Sequence, residues 1–341
     1  MVNISLFNRL VPLKALMPAD WTQLAKQSSV LQYRAGQPVF RNGELAKTQA
    51  YLIEGEIELQ DDSGAHVLRA SDPDALHPLA PGARRTASAL ALKPSKVLYV
   101  DRDQLDVFLT WTQTGEVEVS ELGSEADVDP HDWMTALLQS KAFLRIPPAN
   151  IAQIFSSMEP VSFAAGDVVI TQGEPGDYYY VVTEGRCQVL LEPANGMDEE
   201  ELAQLGVGRC FGEEALVSGE PRNASVRALT RCTLMRLSSS SFNRLLKAPL
   251  LAEVEIGDLP ADAKLIDVRL PAEFDSGHLH DAINLPLGQL RKRVASLDSR
   301  QEYWVYCDTG RRSASAAFLL SERGFDARLV RGGVNPESFE R

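Results

Sequence analysis

Short runs of alternating apolar and polar residues, punctuated by glycine, fill the first two thirds of the chain. In "AGQPVFRNGELAKTQAYLIEGEIEL", Ala35 to Leu59, they predict strands joined by tight turns. The same pattern returns without gaps, 130 residues on, as "AGDVVITQGEPGDYYYVVTEGRCQV", Ala165 to Val189. Gly36, Gly43 and Gly55 fall on Gly166, Gly173 and Gly185, and Glu44 and Glu54 on Glu174 and Glu184. Further on, "RTASALA" from Arg85 matches "RNASVRA" from Arg222 at an offset of 137, so the first copy is seven residues shorter between Gly55 and Arg85. Helix-like segments, "ADWTQLAKQS" and "PANIAQIFSSM", precede the copies. An internal repeat of this kind predicts two related β-rich units.

Between the copies, "TGEVEVSELGSEADVDPHDWM" is acidic and lacks apolar periodicity until Trp133, which reads as a linker feeding a helix, "DPHDWMTALLQS". After Leu246 the period changes. "KLIDVR", "YWVYC" and "ARLVRGG" read as strands, and "LGQLRKRVASL" and "SASAAFLLSERG" as helices, the second stopped at Gly324. Strand–helix alternation predicts a parallel α/β sheet. The expected organisation is therefore 1–118, a first β-rich domain; 119–134, the acidic linker; 135–250, a second β-rich domain; and 251–341, an α/β domain.

Composition narrows the function classes. Hydrophobic residues make up 44% and charged residues 24% of the 341, enough to bury ordinary globular cores. No apolar run approaches the ~20 residues of a membrane span. "MVNISLFNRLVPLK" lacks the long apolar stretch of a secretory signal, so a cytoplasmic location is expected. The net charge of −13 opposes nucleic-acid binding, though not a small anion in a locally positive pocket. Nothing after Arg244 reads as helix-turn-helix, which argues against a transcription factor. The four cysteines form no CxxC or zinc spacing, so no metal is expected. Cys187, Cys210 and Cys232 sit in apolar strand-like runs and read as small hydrophobes.

"FGEEALVSGEPRNAS", Phe211 to Ser225, places a carboxylate nine residues before a lone arginine among small and apolar residues. With the glycine spacing around it, this stretch resembles the phosphate-binding cassette of the cyclic-nucleotide-binding domain family, F-G-E-x-A-L-x(5)-R-x-A-S/T. The resemblance covers about 135–250 well and 10–115 weakly. It implies a β-roll jelly-roll barrel with flanking helices, and Glu213 and Arg222 as ribose and phosphate anchors. The chemistry of each residue agrees with that role. Gly212 lets the backbone approach the sugar, and Glu213 can accept from the ribose 2′-hydroxyl. A turn at Glu214, Ala215 and Leu216 offers N–H groups to the phosphate. Arg222 supplies a charge-assisted phosphate contact, while Ala224 leaves room and Ser225 adds a donor. Family members preferring cGMP often carry Thr after the arginine; Asn223 stands there, which favours cAMP. The plain alternative is a Glu213–Arg222 ion pair across a tight turn. The first copy reads "DALHPLAPGARRTAS", with no Phe-Gly-Glu and a shorter loop. Arg85, Thr86 and Ser88 remain, so a degenerate structural copy is expected, with a relaxed anion site on Arg84 and Arg85 as the alternative.

"YWVYCDTGRRSASAAFLL" puts Cys307 at the C-terminal end of a strand, before a short turn and a helix, where catalysis gathers in parallel sheets. The helix N-terminus and Arg311 and Arg312 are expected to lower the thiol pKa. Leu265 to Val334 resembles the rhodanese family, through "LIDVRLPAEFDSGHLHDAINLPL", "YCDTGRRSASAA" and "LVRGG". That resemblance implies sulfurtransfer: Cys307 takes sulfane sulfur as a persulfide, from a donor such as thiosulfate. The amides of Asp308, Thr309, Gly310, Arg311 and Ser313 hold the charge, and Arg312 closes the ring. The six-residue loop from Cys307 to Arg312 suits sulfur, whereas related phosphatases use one residue more. Asp267, Arg269 and Glu273 read as framework, His278 as a turn-stabilising hydrogen bonder and His280 as exposed. The whole predicts a cAMP sensor whose nucleotide modulates a sulfurtransferase, or a non-enzymatic sensor whose rhodanese domain is a docking scaffold for a protein partner. The link between them is expected to be a short helix around Leu250 to Val254, or the rhodanese domain itself, closing on the nucleotide.

Overall fold

In the computed structural model, residues 2–61, 64–82, 84–114, 133–140, 142–191 and 199–331 are described. Most of the acidic linker, 119–132, lies outside them.

Each repeat folds as two facing antiparallel sheets. In the first copy the strands run 29–33, 95–101 and 48–54 in one sheet, and 38–40, 88–91, 56–61 and 64–69 in the other. In the second they run 210–211, 178–184, 232–238 and 159–163, and 200–205, 187–191, 225–228 and 168–170. The repeat is exact at its turns. A register shift falls between Leu52 and Glu54 in one copy and between Val182 and Glu184 in the other. Immediately after each comes a glycine with positive φ, Gly55 at 97° and Gly185 at 81°. A Cβ at Gly55 would come 2.6 Å from Pro94 O, and at Gly185 2.2 Å from Arg231 O, so neither turn admits a side chain.

The preceding helices form at Pro18–Lys26 and Pro148–Ser157, each with proline in its first turn, where the missing N–H costs nothing. Trp133–Gln139 is helical, as the sequence predicts. The first barrel ends in a helix, Arg102–Thr114, that packs against helices of the C-terminal unit.

The C-terminal unit is a five-stranded, all-parallel sheet in the order 252–254, 326–330, 302–306, 264–267, 283–284. Helices flank it at Leu287–Arg293 and Arg311–Glu322, and the latter ends before Gly324 at φ 81°. One expectation fails here. Ala252–Val254 is not a helix but the edge strand of this sheet, paired in parallel with Arg328–Val330. The helical path from Ser239 runs only to Leu250. Pro249 has no N–H for Leu245 O, and Asn150 Nδ2 donates to that carbonyl instead, at 3.1 Å. The chain is then extended from Ala252.

The second barrel and the parallel sheet are not separately cored. Leu216, Val217, Phe242 and Leu250 join Ile266, Val305, Phe318 and Leu320 in one buried cluster, with the Phe242 and Phe318 rings 6.0 Å apart. Whatever moves the segment around Leu216 therefore moves against the helix Arg311–Glu322.

Candidate functional site

The cassette segment is built as a strand, a left-handed glycine and a short helix. Phe211 pairs with Tyr180, Gly212 takes φ 88°, and Glu213–Ser218 is helical. A Cβ on Gly212 would stand 2.8 Å from Arg222 Nη1 and 3.0 Å from Tyr178 O, so glycine is required for packing as well as for φ. Arg222 is 3% exposed. Its guanidinium donates to Gly212 O at 2.6 Å, Tyr178 O at 2.7 Å and Asp177 Oδ1 at 2.9 Å. Its carboxylate partner is thus Asp177, not Glu213. Asn223 Nδ2 donates to Glu214, which also pairs with Arg291 of the parallel-sheet unit. Ala215, Leu216 and Ala224 are buried, and Ser225 Oγ accepts from the Gln172 N–H at 2.9 Å.

Glu213 faces away from these bonds. It lines a cavity of about 30 Å³, together with Gln113 of the first unit's helix and Leu287, Arg291, Ser315 and Glu322 of the third unit. Glu213 Oε2, both amide atoms of Gln113 and Ser315 Oγ are buried with no hydrogen-bond partner among the described residues. Unsatisfied buried polar atoms are costly, and a cavity of this size has room for about one water to bridge them. Burial and the neighbouring Glu214 push the Glu213 carboxyl up to about 7, against the pull of Arg291 and Arg222. Burial and Glu213 push Glu322 up to about 8. Both groups hold a proton in the fold that they release when unfolded near pH 4.5, so this contact is strongest in acid and weakens as pH rises from about 4.5 to 8. The midpoint of denaturant unfolding is expected to fall between pH 6 and pH 8.5, and Glu322→Gln to flatten that slope. An unchanged slope in Glu322→Gln would show that Glu322 is not its source.

The first copy keeps the frame of the second and differs at the cassette. Gly43 donates to Arg85 O and Gly173 to Arg222 O, both at 2.8 Å; Arg85 donates to Glu44 O and Arg222 to Glu174 O, again both at 2.8 Å. Asn42 N–H donates to Ser88 Oγ as Gln172 does to Ser225. Ala80, φ 41°, follows Leu79 where Gly212 follows Phe211. No helix comes next among the described residues, and Arg85 is reached six positions after Leu79. Its guanidinium is used up on Leu79 O at 3.1 Å and Thr48 O at 2.7 Å, over the Phe40 ring. Arg84 donates to Gly43 O.

Cys307 follows the strand Glu302–Tyr306, and Gly310, φ 96°, turns the chain into the helix Arg311–Glu322. The Gly310 N–H points at Cys307 Sγ, 3.2 Å away, and Ser313 Oγ lies 3.4 Å from it. The thiol is 0% exposed. The expected depression of its pKa is overturned: burial, then Asp106, push the Cys307 thiol up, and Arg312 and Ser313 pull it back only in part. Arg312 is wholly buried. It makes a fork with Glu273 at 2.7 and 3.0 Å, and its Nε reaches Asp106 Oδ1 at 3.0 Å. Asp308 lies 3.6 Å from Arg312 and 3.3 Å from Arg269. Burial opposes its charge, yet Arg269, Arg312 and Arg102 hold its carboxyl below the usual carboxylate range. Arg269 grips Asp267 at 2.7 Å, and Asn284 braces both backbone carbonyls. His278 Nδ1 bonds Phe274 O at 3.0 Å and stacks on that ring, a turn role, and His280 is exposed. Arg311 leaves the loop and pairs with Glu220, just beyond the cassette helix.

Sequence reading missed Asp106, Gln113, Glu220, Arg291 and Glu322. Each acts across a boundary between units, and periodicity within one unit carries no signal for that. Cys187 and Cys232 are buried, Sγ to Sγ 3.7 Å, and Cys210 is half-buried. Among the described residues no group of three or more His, Cys, Asp or Glu could hold a metal ion, and no helix is long and apolar enough to cross a membrane.

Comparison with known proteins agrees with this architecture. Residues 30–110 and 160–248 match the family model "Cyclic nucleotide-binding domain", and 251–336 match "Rhodanese-like domain". A cAMP-dependent protein kinase regulatory subunit of Blastocladiella emersonii is 37% identical over 101 residues, 30% of this chain; the chain spans about a quarter (25%) of that relative's length. Among solved structures, the regulatory domain of Toxoplasma gondii PKA with cAMP is 18% identical, covering 72% of this chain and 91% of its own, at a TM-score of 0.32. The N-terminal domain of a Streptomyces coelicolor transcriptional regulator is 32% identical, covering 33% and 80%, at a TM-score of 0.30.

Proposed function

Because the chain carries two cyclic nucleotide-binding domains followed by a rhodanese-like domain, we propose that it is a cAMP sensor whose second domain takes the nucleotide and thereby modulates sulfur transfer at Cys307. The observation that carries the reading is Glu213: a buried carboxylate oxygen without a partner, on the segment that also places Arg222. A carboxyl oxygen of Glu213 accepts from a ribose 2′-hydroxyl. Arg222 exchanges Asp177, whose side chain is 62% exposed, for a phosphate oxygen, at little desolvation cost for the displaced carboxylate. The first domain, with Arg85 spent on backbone carbonyls, serves as scaffold. The functional boundaries are taken as 1–118, 135–250 and 251–341.

In the third domain, a Cys307 thiolate attacks the outer sulfur of thiosulfate, releasing sulfite and leaving a persulfide on Cys307. A nucleophilic acceptor such as cyanide then takes that sulfur and regenerates the thiolate. Glu213 and the rhodanese helix share one cavity, so nucleotide engagement changes how that helix is held. Such couplings are typically ~1–3 kcal/mol. A second reading rests on the buried, pKa-raised thiol: the rhodanese-like domain is then a docking scaffold whose presentation the nucleotide controls.

Calorimetric titration of the whole chain with cAMP should give one site per chain, with cGMP weaker. Silence with both nucleotides at several temperatures sinks the sensor reading. Labile sulfur released by cyanide, and lost in Cys307→Ala, separates enzyme from scaffold.

A further inference from the structure

The helix Arg102–Thr114 of the first domain packs against the Cys307 loop. Asp106, 3% exposed, accepts from Arg312 Nε at 3.0 Å and from the Thr309 hydroxyl, while Arg102 Nη2 donates to Asp308 O at 2.8 Å. Arg312 and Thr309 belong to the six-residue loop from Cys307 to Arg312, whose Gly310 N–H points at the thiol sulfur. A carboxylate from another domain thus takes the hydrogen bonds that an anion entering this loop would use.

We propose that Asp106 is an intramolecular competitor for the anionic sulfur donor: its carboxylate holds the anion position of the Cys307 loop, and the donor binds only when the helix withdraws. The inference rests on the sulfur-transfer reading above and adds its regulation. It also gives the degenerate first domain a task that needs no ligand of its own. The route from the nucleotide is short. Gln113, seven residues after Asp106 and so on the same helix face, lines the Glu213 cavity. A ligand that repositions Glu213 changes this cavity and, through Gln113, the helix that carries Asp106. Glu220, after the cassette helix, holds Arg311 next to Arg312, so both ends of the contact answer to one segment.

The test is the rate of Cys307 alkylation in the full chain, read by mass spectrometry of its peptide, with anionic iodoacetate and neutral iodoacetamide. Asp106→Asn should speed iodoacetate by a factor typical of coupled sites, roughly 5–150-fold, and iodoacetamide much less. Arg102→Gln, which frees the helix but keeps the carboxylate, should give a smaller rise of the same kind, and carries the comparison should Asp106→Asn not fold. In wild type, cAMP should act in the same direction. Unchanged rates, or equal rises with both reagents, would overturn the proposal, because equal rises mean general opening. Charging with thiosulfate tells the two readings apart. Discrimination between the reagents with no labile sulfur in any variant leaves the competitor standing and removes sulfur transfer. Labile sulfur formed as fast in wild type as in Asp106→Asn does the reverse.

Discussion

Arg222→Ala is expected to abolish cAMP binding for practical purposes, weakening it by about 3–5 kcal/mol, or roughly 100- to several-thousand-fold in Kd. The size follows from where the guanidinium sits. Arg222 is buried, so a phosphate reaching it leaves water and loses its hydration; without the fork that loss is not offset. Arg222→Ala also removes three native bonds, to Gly212 O, Tyr178 O and Asp177, and should lower stability by a few kcal/mol in its own right. Arg222→Lys separates the two effects. Lysine keeps the charge but not the fork, so it should bind measurably, at least about tenfold more weakly than wild type. The parallel change in the first domain, Arg85→Lys, should leave affinity and stoichiometry unchanged, since among the described residues the Arg85 guanidinium donates to backbone carbonyls and lies over the Phe40 ring. Titration calorimetry of folded variants, checked by circular dichroism, reads all of this. Equal loss in Arg85→Lys and Arg222→Lys would mean that the wrong copy has been assigned the nucleotide.

What the sequence made legible was whatever repeats or turns within one unit. The three glycine pairs at offset 130 marked turns that both barrels share, down to the matched register shifts at Leu52/Glu54 and Val182/Glu184. The absence of Phe-Gly-Glu and the shorter loop of the first copy were legible as a departure from the cassette, and among the described residues no helix stands where Glu213–Ser218 stands in the second. Alternation gave the parallel sheet. The misses have a common physical cause. Ala252–Val254 reads as helix continuation because Leu250, Leu251 and Val254 are apolar. Its conformation is set instead by a neighbour about 75 residues away, Arg328–Val330, through backbone bonds that no side-chain pattern records. The Cys307 pKa was misjudged for a related reason. Loop dipoles and arginines are local and visible, but the burial that outweighs them comes from the core in which Cys307 sits, and the carboxylate of Asp106 from the first domain's helix. Arg312 likewise reads as a free positive charge until Glu273 and Asp106 are placed on either side of it.

Arg312→Met is expected to be the most destabilising single substitution in the rhodanese-like domain, by about 3–5 kcal/mol. Arg312 is the largest wholly buried side chain, and it neutralises Glu273 and Asp106 while standing 3.6 Å from Asp308. Removing it leaves Glu273 and Asp106 buried without that guanidinium, while Arg269 and Arg102 stay near Asp308. The pH response should then reverse. In wild type, Asp308 has a depressed pKa, so its contribution is present above about pH 4 and is lost in acid. In Arg312→Met the buried Glu273, already raised by burial, loses the guanidinium that pulls it down and is driven to bind a proton in the folded state, so stability should rise as pH falls from 8 toward 5. Replacing the partner as well, in Arg312→Met with Glu273→Leu, removes one uncompensated charge and should recover part of the loss, since an apolar pair of similar volume serves a buried ion pair's place. Urea unfolding followed by tryptophan fluorescence is suitable, because Trp304 lies in the central strand of this domain's sheet. A cost below about 1 kcal/mol for Arg312→Met would show that water reaches the cluster. That outcome would also weaken the case for Asp106 as a closed gate, since a network that water enters cannot exclude a small anion from Cys307.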